Sequence, residues 1–282
     1  MMLEGQAHSG GNPLPVVTLG PTKRRLRLRD VWITRRVAWM IGLRDMRVKY
    51  KQAALGPLWL VIAPLGMLAA LTIAFSGVTD TQTSGIPYLP FVLTGLTVWT
   101  FISASLSLGA SVIPANVALV RRSPLPRIAL LGGSMMGNLP PLGVLLAFSL
   151  AAAIGYGILP IQALLLPFLI AWLMLFTYAA LLLISPIAVK YRDTLAIVPL
   201  IIQAGIFITP VGYGIDGAPA TIKVLLIFNP ATGLIEAWRW ALLDLPNPSI
   251  AAIAIAGGWT LLFLLAGWRI FGRLEVAFAD FV

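Results

Sequence analysis

The chain has 282 residues, 59% of them apolar and only 11% charged, with a net charge of +10 and no cysteine. Soluble domains carry about 25% charged residues, so this composition, with a mean hydropathy of +0.92, is that of a membrane protein with several spans. Disulfide and thiol chemistry are excluded, and the basic excess, which in a soluble chain points to nucleic acid, here flanks hydrophobic runs.

Residues 1–29 form a Gly/Ser/Pro-bearing leader that holds the single histidine, His8. The leader has no apolar stretch of signal-peptide type and is expected to be a disordered cytosolic segment. Residues 30–54 follow as an amphipathic helix. At 100° per residue Ile33, Val37, Met40, Ile41 and Val48 share one face, and Trp32, Trp39, Leu43, Met46 and Tyr50 make a second stripe. Such a helix lies in the plane of the membrane interface. Arg44 interrupts its first apolar face. Two readings stand there: a snorkelling side chain, or a charge that meets a phosphate or an acidic partner.

The stretch from Leu43 to Trp59 passes from Arg44, Asp45, Arg47, Lys49 and Lys51 into a run without charge that lasts until Asp80. This is a crossing from water into hydrocarbon. The first span covers 55–78, with Pro57 at a tolerated N-terminal position and Pro64 inside. The second, 89–113, carries Thr94, Thr97, Thr100, Ser103, Ser105 and Ser107, a polar surface explained by pairing between helices or by wetting. The loop 114–127 holds Arg121, Arg122 and Arg127. No charge then occurs before Lys190. As one helix that run would be roughly 93 Å long, against a hydrocarbon core of ~30 Å. It must therefore fold back, and Gly155, Gly157 and Pro160 mark the turn between spans three (128–158) and four (161–189). Span five covers 195–211. In the external segment 212–248 two short apolar pieces flank Asn229-Pro230, each too short to cross. They are expected to dip into the outer leaflet or lie on it, beside a cavity. Span six is 250–270, and 272–282 is a cytosolic tail.

With both termini inside, all of the 20 Lys/Arg except Lys223 and Arg239 fall on the inner side. That bias sets the orientation. The expected fold is thus an all-α integral membrane protein: a six-span domain over 55–271, an amphipathic interface helix before it, and short re-entrant or interfacial helices between spans five and six.

Chemistry is sparse. One leader histidine and no cysteine leave no Ser–His pair, zinc site or thiol nucleophile, and no catalytic residue or metal site is expected. No Gly-Lys dipeptide occurs, so the phosphate-binding loop of nucleotide hydrolases is missing. Glu236 is the ionisable residue nearest to a membrane-embedded position; with Arg239 three residues on, a structural ion pair is expected in preference to a proton site. Gly133-x-x-x-Gly137 is a helix-packing motif, read as an internal seam in preference to a dimer contact. Trp59, Trp99, Phe101, Trp172, Tyr178, Phe207 and Tyr213 are of the type that stacks on sugar rings or forms interfacial belts.

Arg44-Asp45, Tyr50, Leu55-Gly56 and Trp59 form a pattern that resembles the permease subunits of polysaccharide ABC exporters, of the O-antigen and teichoic-acid type. Further matches run in order through Asn116-Val117, Leu119-Val120 with Leu125-Pro126-Arg127, Tyr191-Arg192-Asp193, Asn229-Pro230 with Arg239, and Glu275 with Phe278-Ala279-Asp280. The resemblance implies a non-catalytic channel-forming chain that pairs with a second copy and with two ATPase subunits, which hold ATP and magnesium. It implies that spans one and five line the channel. It makes the loop 114–127, with Arg121, Arg122, Ser123, Pro124, Leu125, Pro126 and Arg127, the contact to the ATPase. The implied substrate is a polysaccharide on a polyprenyl diphosphate, taken from the inner face of the plasma membrane. Arg44, Arg47, Lys49, Tyr50 and Lys51 are placed for the diphosphate, and Trp59, Trp99, Phe207 and Tyr213 for the sugar. An exporter of drugs or small lipids, or a membrane enzyme of lipid-linked sugar assembly, are the competing readings.

Overall fold

The computed structural model describes residues 28–51, 53–75, 83, 85–116, 127–158, 160–215 and 218–274, and every regular element among them is helical. In chain order these are α1 (Leu28–Lys51), α2 (Trp59–Phe75), α3 (Tyr88–Ala115), α4 (Ile128–Met136), α5 (Leu139–Gly155), α6 (Leu166–Lys190), α7 (Thr194–Ile208), α8 (Ala220–Phe228), α9 (Pro230–Leu243) and α10 (Ile250–Leu274). Short 3-10 turns, Gly56–Leu58 and Ile161–Leu165, lead into α2 and α6. The leader, most of the loop 114–127 and the tail 275–282 lie outside the described residues.

Among the described residues, five helices are long and apolar enough to cross a membrane: Gly56–Phe75, Tyr88–Ala115, Ile128–Gly155, Ile161–Lys190 and Ile250–Leu274. Their bounds fall within a few residues of spans one to four and six read from the sequence. The fifth expected span is shorter than the charge-free run implies. α7 has 15 residues, about 22 Å of helix, because the chain turns at Thr209 and Pro210. Beyond it α8 and α9 meet at 92°. Asn229 makes that elbow: its side chain caps α9 by accepting from Ala231 N–H at 3.0 Å, and Pro230 occupies the first helical position, where no N–H is needed.

α3 is the centre of the bundle. It packs on α6, α5, α9, α4 and α7, and Val92, Leu96, Val98, Phe101 and Ile113 are buried. Its hydroxyls serve helix pairing: Thr97 shares a hydrogen bond with Ser149 of α5 at 3.0 Å, and Ser105 accepts from Asn138 at 3.3 Å. Ser185 of α6 donates to the Gly109 carbonyl at 2.6 Å. Interhelical bonds of this kind contribute about 0.6 kcal/mol each in a bilayer; they fix register more than they add stability. α2 and α7 contribute few residues to this core. Only Pro64, Leu68 and Leu71 of α2 and Val198 and Ile206 of α7 are buried.

α1 docks through small residues. Thr34, Ala38, Ile41 and Gly42 are buried against α4, while Trp32, Ile33, Trp39, Met40 and Val48 stay exposed. Of the apolar face expected from periodicity only Ile41 is fully buried. The reason is steric: Gly42, Gly133 and Gly137 let the two backbones touch, and bulky side chains would hold them apart. Gly133-x-x-x-Gly137 is therefore an internal seam, as read from the sequence.

Candidate functional site

The basic junction lies on the last turns of α1 and the turn that follows. Arg44, Arg47, Lys49 and Lys51 are all exposed. Lys49 and Lys51 occupy the last helical turn, where cations complement the partial negative charge of the helix end. The Arg44 guanidinium is paired with its neighbour: Nη2 stands 2.7 Å and Nε 2.8 Å from Asp45 Oδ1. Half-exposed pairs of this type are worth at most about 1 kcal/mol, so the pairing steers Arg44 without locking it. Tyr50 is half-buried, and burial raises its phenol above the ordinary value. A tight turn precedes α2, with Gly56 N–H donating to Ala53 O at 2.9 Å and Gly56 at φ +49°, a left-handed conformation that favours glycine. Trp59 opens α2, half-exposed, directly after this turn.

The aromatic candidates separate into distinct places. Trp59 is at the opposite end of α2 from Phe75, about 24 Å away. Trp99 packs edge-on against Gly205 of α7, where a Cβ would lie 2.6 Å from the indole; it is a helix-packing residue. Phe207, on α7, is exposed. Its carbonyl accepts from the Tyr213 hydroxyl at 2.8 Å, and the Tyr213 ring lies 5.5 Å from that of Phe75. Tyr88 closes this corner, its hydroxyl 3.2 Å from the Leu71 carbonyl of α2 and 3.1 Å from that of Gly212. The structure thus brings Phe207 and Tyr213 together with Phe75 and Tyr88, and leaves Trp59 and Trp99 elsewhere.

Arg239 holds the same corner from behind. Its side chain is buried and donates to three backbone carbonyls: Val211 from Nη2 at 2.6 Å, Tyr213 from Nη1 at 3.3 Å and Phe91 from Nε at 3.4 Å. The guanidinium also stacks 3.5 Å over the Phe91 ring. The negative charge of Glu236, one turn earlier on α9, acts on the same guanidinium. The carbonyl clamp is an addition that spacing alone does not reveal. Gly95 makes room for it, since a Cβ there would meet Val211 O at 2.8 Å and Arg239 Nη2 at 3.0 Å. A cavity of about 200 Å³ opens beside Arg239, with Lys223, Ile227, Glu236 and the segment Leu245 to Ser249 in its wall. This is the cavity expected beside the short helices.

Of the expected ATPase-contact loop, Arg127 is placed, at the start of α4. Arg121, Arg122, Ser123, Pro124, Leu125 and Pro126 lie outside the described residues. Among the described residues no group of three or more acidic or histidine side chains could hold a metal.

A bundle of apolar helices with an elbow of two short ones and a basic helix ahead of them defines a multi-pass membrane protein. The chain belongs to the ABC-2 type transporter family, whose model matches residues 36–243. It is similar to two O-antigen export system permease proteins RfbA of Klebsiella pneumoniae, each 26% identical over 250 residues, or 86% of this chain and 93% of the relative. It is likewise similar to the O-antigen export system permease protein RfbA of Myxococcus xanthus, 23% identical over 256 residues, 90% of this chain and 98% of the relative.

Proposed function

We propose that this chain is the channel-forming permease of an exporter that moves a polyprenyl-diphosphate-linked polysaccharide across the plasma membrane. The observation that carries the reading is the likeness, over most of both chains, to permeases named for O-antigen export. Two copies pair, and two separate ATPase subunits supply the energy by binding ATP and magnesium. The termini face the cytosol, in keeping with the distribution of Lys and Arg.

In this reading α1 lies along the inner headgroup layer. Arg44, Arg47, Lys49 and Lys51 attract the diphosphate, each basic residue contributing about 1 kcal/mol near an anionic surface, and arginine can grip phosphate with a paired fork of N–H groups. Trp59 stands at the entrance of α2 for the first sugar. α2 and α7 expose apolar faces, Ile62, Leu65 and Ile73 on one and Ile197, Leu200 and Ile201 on the other. These faces suit a passage built between two copies. The Arg239 clamp shapes the outer end of α7, and the elbow of α8 and α9 lies at the outer leaflet.

The test is reconstitution. The purified chain alone is expected to hydrolyse no ATP, and hydrolysis in proteoliposomes is expected only with a partner ATPase subunit. Stimulation by a polyprenyl-diphosphate glycan, and none by drugs or short-chain lipids, is the expected pattern. The reverse pattern would assign the chain to small-molecule export.

A further inference from the structure

We infer that the cavity beside Arg239 is a binding site for one neutral sugar residue at the outer end of the bundle, with Glu236, Lys223 and Asn247 as its hydrogen-bonding groups. The inference rests on the reading above in one respect: the sugar belongs to the exported glycan.

The position of the cavity is the first observation. Phe91 lies in the first turn of α3, Ser249 immediately precedes α10, and Leu245 to Pro248 follow the end of α9. The cavity therefore sits where three helix ends meet, at the end of the bundle opposite Arg127, Lys190 and Arg273. Its floor is closed, since Phe91, Ile215 and Arg239 are buried. Its mouth is open, since Pro246, Asn247 and Ser249 are exposed. Gly214 and Ile215 follow Tyr213 directly, so the segment that carries the aromatic corner of α2 and α7 also walls the cavity.

The second observation is that the walls are already in place. Pro246 and Pro248 fix their own φ and restrict the residues before them. Asp244, at φ +52°, accepts from the Gln162 amide at 3.4 Å, which ties the start of the rim to the turn before α6. Three of the five guanidinium N–H groups of Arg239 are engaged by carbonyls, so this wall is fixed too. A site that needs no ordering on binding loses little conformational entropy.

Charge and size then select the ligand. An anion would face Glu236, and a cation would face Lys223 and Arg239. A neutral polyol suits both signs, because its hydroxyls donate to the carboxylate and accept from the ammonium. Such charge-assisted bonds are roughly twice as strong as neutral ones. Asn247 and Ser249 add uncharged donors and acceptors at the mouth, and Ile227, Leu245 and Pro246 offer an apolar wall to the C–H face of a ring. A zwitterionic lipid headgroup answers the charges but leaves these other groups unused. The volume of about 200 Å³ equals roughly six waters at about 30 Å³ each. It falls below the roughly 300 Å³ at which sites for drug-sized ligands begin, and is of a size for a single ring.

The test is saturation-transfer NMR on the whole chain in phosphatidylglycerol nanodiscs. The probes are glucose, galactose, mannose, rhamnose and N-acetylglucosamine, each alone, with phosphoethanolamine as the competing class. At least one sugar is expected to give saturable transfer in the millimolar range, and phosphoethanolamine none. Glu236→Gln should weaken the sugar about tenfold, and Asn247→Ala about threefold, as the loss of a charged and of a neutral partner. Ser249→Trp, at an exposed position, should plug the mouth and abolish binding. No saturable transfer from any of the sugars overturns the inference, as does transfer that survives Ser249→Trp. Saturable binding of phosphoethanolamine without any sugar assigns the cavity to a lipid headgroup and overturns it as well. The measurement needs no ATPase, so the two readings fail separately. An exporter stimulated by glycan whose cavity binds no sugar sinks this inference alone, whereas one stimulated by drugs and not by glycan sinks the functional reading.

Discussion

Replacing Arg239 with methionine tests the clamp at the α7 corner. The substitution keeps much of the side-chain bulk over Phe91 but removes the donors to Val211, Tyr213 and Phe91 carbonyls. A hydrogen bond to a charged group is worth about 1.5–3 kcal/mol, and a buried acceptor left alone costs about 1–3 kcal/mol. The bond at 2.6 Å is the strong one. The two at 3.3 and 3.4 Å are near the limit of useful geometry, and the methionine spares the desolvation of a buried cation. A net local loss of about 3 kcal/mol over 211–215 follows. At about 1.4 kcal/mol per tenfold, amide hydrogen exchange there should accelerate about 100-fold. The assay is exchange by mass spectrometry in detergent or nanodiscs, with the α1–α4 seam as internal reference. Arg239→Lys should recover only part of the protection, because one compact ammonium cannot span three carbonyls and stack on a ring. Unchanged exchange at 211–215, or equal acceleration at the seam, would refute the clamp.

Other expectations follow from the same geometry. Cysteines at Ser84, Gly157 and Asp216 should label from outside in intact cells, and ones at Ser123 and Thr194 should not; labelling of Ser123 from outside would reverse the topology. Arg44→Gln should lower glycan-stimulated ATP hydrolysis several-fold, with Arg44→Lys intermediate, whereas Asp45→Asn, which frees the guanidinium from its neighbour, should raise it. Equal stimulation in all three would return Arg44 to a snorkelling role. Charge reversal at Arg121 and Arg122 should detach the ATPase in co-purification while the chain still inserts. Thr97→Val, which breaks the bond to Ser149, should destabilise the bundle by no more than about 1 kcal/mol in thermal unfolding, since such bonds in a bilayer are weak.

Charge and hydropathy made most of the fold legible. A membrane demands that a span be long and nearly free of charge, so the runs flanked by Arg127, Lys190 and the α1 cations translate directly into helices. What periodicity could not supply was the face by which α1 docks. Hydrophobic periodicity ranks side chains by apolarity, yet between helices in lipid close approach matters more, and Thr34, Ala38 and Gly42 outrank Trp32, Met40 and Val48. The Gly133-x-x-x-Gly137 spacing was the available signal for that seam, and Gly42 its unread partner. The shortness of α7 was hidden for a related reason: Ile208, Pro210 and Val211 are as apolar as a helix interior, and Pro210 was the one mark of a stop. At the site, i to i+3 spacing places Glu236 and Arg239 on one helix face and says nothing more. The carbonyls of Val211 and Tyr213, from the turn after α7, and of Phe91, from α3, are backbone groups, and no side-chain pattern records them.

The Tyr88 hydroxyl has a consequence for how the corner of α2 and α7 comes apart. One hydroxyl proton faces two carbonyls, Leu71 and Gly212, at nearly equal distances, so it satisfies only one fully at any moment. If α2 withdraws, the proton turns wholly to Gly212 and no donor is stranded; the Leu71 carbonyl lies inside a helix, where it retains its place in the main-chain ladder. The ring contact of Phe75 with Tyr213 is then the principal loss, about 1 kcal/mol. If instead the turn after α7 were to leave, Arg239 would be stripped of two carbonyls at once. The joint is therefore asymmetric: it fails on the α2 side first, with Tyr88, Tyr213 and Arg239 remaining as the fixed jamb from which α2 swings.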